Sequence, residues 1–61
     1  MSERIDRHLI TRETESAVAF LDVARDALEE GDDEKVDRFT FEAMEKMRAV
    51  LKHLEGVKVT A

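Results

Sequence analysis

The sequence predicts an all-α fold: an antiparallel helical hairpin that dimerises into a four-helix bundle. Three observations lead there. Ala17, Phe20, Leu21, Ala24, Ala27 and Leu28 form one apolar stripe, and Val36, Phe39, Ala43, Met47, Val50 and Leu54 form a second. Both advance in steps of three and four, the spacing of one face of a 3.6-residue helix. The chain has no proline, no cysteine and only two glycines, and Gly31 falls between the stripes. Finally, a hairpin has a single shared seam, so the outer flanks of stripes this wide stay wet unless a second copy covers them. The expected core and dimer interface is therefore Phe20, Leu21, Ala24, Leu28, Val36, Phe39, Ala43, Met47, Val50 and Leu54.

Size points the same way. The 61 residues amount to one domain, and a chain this short buries only roughly 60% of the surface it exposes when unfolded. Small scaffolds are usually stapled by disulfides, metals or oligomerisation. Lack of cysteine removes disulfides, thiolate zinc sites and thiol nucleophiles, which leaves oligomerisation or a tight helical core.

The elements follow in order. Residues 1–10 are expected to be an arm, extended or loosely helical, because Thr11 and Thr14 are suitable N-caps and Glu13 and Glu15 suit the positive end of a helix. The first helix then spans 11–30, and Gly31 suits the left-handed position that closes many helices. Asp32 is placed to cap the next helix, with Asp33 and Glu34 in its first turn, so residues 31–32 form the turn. The second helix spans 33–55. Glu34 and Arg38, and Glu42 and Lys46, stand at i,i+4 in the favourable order; Arg48, Lys52 and His53 gather where the dipole favours cations. Gly56 is its expected stop, and residues 56–61 form a tail.

The net charge of −5 hides an asymmetry. Residues 1–12 carry +1, residues 13–34 carry −8 and residues 35–61 carry +2. An acidic surface argues against tight non-specific nucleic-acid binding, which needs Lys and Arg on phosphates. No apolar run is long enough for a bilayer, and MSERIDRH lacks the hydrophobic segment of a signal peptide, so no membrane partner and a cytoplasmic location are expected.

Two groups stand out as candidate partner-binding residues. Phe41 lies about 120° from Met47 round a helix, whereas Phe39, Met44 and Leu51 lie within about 80°; Val18 is displaced in the same way on the first helix. The acids Glu29, Glu30, Asp32 and Asp33, with Glu34, crowd round Gly31 and offer a docking tip for a basic partner, besides capping the second helix. Neither histidine has the partner spacing of a helical carboxylate–His metal motif, no glycine-rich loop is available for phosphate, and no serine or threonine has the setting of a nucleophile. Catalytic residues, cofactors and metals are accordingly not expected.

The spelling Arg48-Ala-Val-Leu-Lys-His53 resembles the Arg, four residues, His motif of HEPN ribonucleases, and Ala17 to Leu51 is similar to the hairpin common to HEPN and tetratricopeptide proteins. The resemblance implies a helical bundle in which Arg48 and His53 converge on RNA. This chain departs from it at Ala49, where that family usually has a polar residue, and it has too few helices. Residues five apart also leave one helix about 140° apart. A tetratricopeptide unit, for its part, needs neighbouring repeats. In length and plan the chain is similar to Rop-type RNA-binding regulators, and its order of arm, helix, turn, helix resembles ribbon-helix-helix repressors. Those likenesses imply a dimeric nucleic-acid regulator working through Arg4, Arg7 and Arg12. The residues themselves favour a small non-enzymatic interaction or regulatory protein that self-associates as a homodimer and binds a protein partner. A nucleic-acid regulator and a HEPN-like ribonuclease remnant are the alternatives.

Overall fold

A computed structural model describes residues 5–58 of the chain, which form an antiparallel pair of helices, α1 (Arg7–Glu30) and α2 (Asp33–Lys58). The turn forms as the sequence predicts. Gly31 adopts φ 80° and ψ 19°, and its N–H donates to the Leu28 carbonyl at 3.1 Å while the Asp32 N–H donates to the Ala27 carbonyl at 2.9 Å. Those two bonds are the Schellman closure that satisfies the last carbonyls of a helix. Asp32 then opens α2, because its Oδ1 accepts from the Lys35 N–H at 3.2 Å and its carbonyl accepts from the Val36 N–H at 3.1 Å.

Both outer helix ends lie further out than expected. α1 starts at Arg7 rather than Thr11, so residues 7–10 of the expected arm are helical. Asp6 is the true cap: its backbone is extended, its Oδ1 accepts from the Leu9 N–H at 3.1 Å and its carbonyl from the Ile10 N–H at 3.1 Å. Thr11 and Thr14 are thereby ordinary helical residues. α2 likewise runs through Gly56 to Lys58 instead of stopping at Glu55. Gly56 does not take the left-handed conformation; Gly31 alone does so among the described residues. The extra turns match each other, since Leu9 and Ile10 on α1 and Leu54 and Val57 on α2 are all half-buried. Withdrawing part of each of these side chains from water offsets the roughly 1 kcal/mol that a glycine costs inside a helix. Residues 1–4 of the expected arm and 59–61 of the expected tail lie outside the described residues.

The buried core is Ala17, Ala24, Ala27, Ala43 and Val50. Four alanines among five positions let the two backbones approach closely, because the interaxial distance follows the size of the contact side chains. Beside this seam Phe20 and Phe39 stack with ring centroids 5.9 Å apart and planes 24° apart, a favourable aromatic separation. Among the described residues no large side chain is fully buried.

The two glycines should respond in opposite directions to alanine. A Cβ at either meets nothing within 4 Å, so backbone conformation alone decides. Gly31→Ala should cost about 1–2 kcal/mol, the penalty of a left-handed L-residue, whereas Gly56→Ala should stabilise by about 0.5–1 kcal/mol. Urea unfolding at one fixed protein concentration reads both.

Candidate interaction surface

With the seam taken by alanines, the large apolar side chains stand outside it. Leu21, Leu28 and Met47, expected in the core or interface, are 48%, 63% and 42% exposed and do not enter the hairpin's core. Ala24, Ala43 and Val50 are buried as expected, and Phe20, Val36, Phe39 and Leu54 are half-buried. The reason is geometric. At 100° per residue, Leu28, Leu21 and Val18 fall about 40–120° to one side of Ala24, and Met47, Leu51 and Met44 fall about 40–100° to one side of Ala43. In two antiparallel right-handed helices those sides coincide.

Val18, Leu21, Leu28, Met44, Met47 and Leu51 therefore share one face of the hairpin, each between 42% and 63% exposed. The opposite face carries Ser16, Lys35, Glu42, Lys46 and His53, together with the exposed Val23. Covering the exposed half of six such side chains is worth about 5–9 kcal/mol per hairpin, at about 1.5–3 kcal/mol for a complete side chain. Met44, Met47, Arg48, Val50, Leu51 and Leu54 enclose a shallow groove of about 450 Å³ on the α2 side of this face. Met44 and Leu51 were not among the expected interface residues. Their signal was their place within about 60° of Met47.

The acids of the tip divide by role. Asp32 is half-buried and committed to capping, while Glu29, Glu30 and Asp33 are exposed. Phe41 is 53% exposed and lies about 60° beyond Met44 round α2, so it stands on the outer side of α2 rather than in the apolar face.

Arg48 and His53 are occupied separately. Arg48 Nε lies 3.7 Å from Glu45 Oε2. His53 Nε2 accepts from the Asp6 N–H at 2.9 Å, which ties the start of α1 to the last turns of α2; accepting there places the ring proton on Nδ1. Of the three arginines at the N-terminal end, Arg7 and Arg12 are exposed, Arg12 lies 3.5 Å from Glu13, and Arg4 falls outside the described residues. Among the described residues no charged side chain is buried, no group of three His, Asp or Glu could hold a metal ion, and no helix is long and apolar enough to cross a membrane. Compared with family models, curated proteins and solved structures, the chain matches none.

The His53 tie should be local in effect. His53→Ala removes the acceptor for an exposed amide, so the loss should be about 0.5–1.5 kcal/mol. Hydrogen exchange should accelerate at the amides of residues 6–10 and stay unchanged round the Gly31 turn. Acceleration spread evenly along both helices would contradict this assignment.

Proposed function

We propose that this chain is a small non-enzymatic interaction and regulatory protein that associates with itself through the apolar face, its homodimer forming a four-helix bundle, and binds a protein partner. The observation that carries the reading is the separation of alanine seam from apolar face. The hairpin closes on small side chains and leaves six large ones together on one side. Contiguous apolar surface of this kind marks a site of association. A polar opposite face limits the association to a closed pair, since only one surface per hairpin needs cover.

The partner surface is the exposed acids Glu29, Glu30 and Asp33 together with Phe41. Phe41, on the outer side of α2, stays accessible once the apolar face is covered, while the acids stand at the tip, at the edge of that face. Acids at the tip suit a basic segment, whose approach their charge would set, and Phe41, about 12 Å further along α2 from Asp33, offers a separate apolar anchor.

Equilibrium sedimentation at micromolar concentration should give a dimer. Replacing Leu21 and Met47 together by Glu removes four exposed halves per dimer, about 3–6 kcal/mol, and should weaken it on the order of 100- to 10,000-fold, while far-UV circular dichroism at high concentration still reports helix. A compact monomer whose unfolding midpoint is independent of concentration would overturn the reading. So would submicromolar binding of an RNA hairpin or DNA duplex at physiological salt that is lost when Arg4, Arg7 and Arg12 become Ala.

A further inference from the structure

The charges along the hairpin select how a second copy lies on that face. Divide the described chain across its middle. Residues 19–44, the half that carries the turn, hold nine acids against Arg25, Lys35 and Arg38, a net charge of −6. Residues 5–18 and 45–58, the half that carries the helix ends, hold six bases against five acids, a net charge of +1. The molecule is thus strongly polarised along its length. Two copies whose turns lay at the same end would stack one −6 half on another; two copies lying in opposite directions set each −6 half against a +1 half.

The apolar face allows the second arrangement. Leu28 lies near the turn and Leu51 near the helix ends, with Val18, Leu21, Met44 and Met47 between them. A two-fold axis crossing the face between the levels of Val18 and Leu21 brings Leu28 of one hairpin into the same layer as the other copy's Leu51. It also interleaves Leu21 with Val18 and Met44 of the other copy. Such an axis is isologous, so the pair closes on itself.

We infer that the occupant of the Val18, Leu21, Leu28, Met44, Met47 and Leu51 face is a second copy of this chain, docked with its turn at the opposite end. The inference rests on the self-association proposed above and adds its direction. The rim charges are exposed and are screened beyond about 8 Å at physiological salt, so they set orientation while the apolar face sets affinity. In either direction each helix can have antiparallel neighbours, so the helix dipoles leave the choice to the charges.

Because the chain has no cysteine, single thiols can be introduced and spin-labelled cleanly. Glu30 at the turn end and Lys52 at the other end are both exposed, so Glu30→Cys and Lys52→Cys leave the packing alone. Two distances are measured by double electron–electron resonance: Glu30→Cys with itself, and Glu30→Cys mixed with Lys52→Cys. In the opposed arrangement the Glu30 positions sit about 30 Å apart along the bundle, at 1.5 Å per residue, and position 30 is level with position 52 of the other copy. The Glu30 pair distance should then exceed the mixed one by more than 10 Å. The reverse order in a sample shown by sedimentation to be dimeric would overturn the direction and leave self-association standing. A sample that stays monomeric at every concentration, with no dipolar coupling in either experiment, would overturn both.

Discussion

Ala17, Ala24 and Ala27 of α1 against Ala43 of α2 fix how near the two helix axes come, and the rest of the molecule follows from that distance. An alanine seam gives close backbone approach and costs no side-chain entropy, yet each alanine withdraws little apolar surface from water. The large side chains cannot enter so narrow a space and stand on its borders. On one border Phe20 and Phe39 cover each other. On the other, leucines and methionines stay half-exposed. The hairpin is well specified in shape and poor in burial, the situation in which small scaffolds are commonly stabilised by oligomerisation.

The same constraint explains how the ends behave. With little held in the middle, small contributions at the termini carry weight: the Asp6 cap, the Asp6 to His53 bond and the partial burial of Leu9, Ile10, Leu54 and Val57. The turn is fixed differently. Asp32 gives its N–H to α1 and its carboxylate to α2, so one residue sets where the first helix stops and the second begins. That leaves the register of the alanines no freedom to slip.

Sequence reasoning reached the helices, the turn and its chemistry because each has a local signal. Glycine before aspartate reads the same in any context, and Ala24, Ala43 and Val50 sit at the centre of their stripes. The ends misled because their signals are weak and compete. Thr11 is a reasonable cap, but Asp6 is one too, and the choice depends on Leu9 and Ile10 finding cover on α2, which is tertiary. Gly56 reads as a stop by the same logic and is carried through by a neighbour 47 to 50 residues away in sequence, where Asp6 meets His53. The stripes held both the seam and the outer face without separating them. Leu21, Leu28 and Met47 read as core, although their place about 40–60° to one side of Ala24 and Ala43 leaves them on its border.

The methionines at 45% and 42% exposure, Met44 and Met47, sit in the middle of the apolar face. In a chain without cysteine they are, with Met1, its readily oxidised side chains. A thioether converted to its sulfoxide becomes polar and chiral. Peroxide in a buffer or a cell that oxidises Met44 and Met47 therefore makes polar the face through which we propose that the chain associates, and methionine sulfoxide reductases would set how long that change lasts.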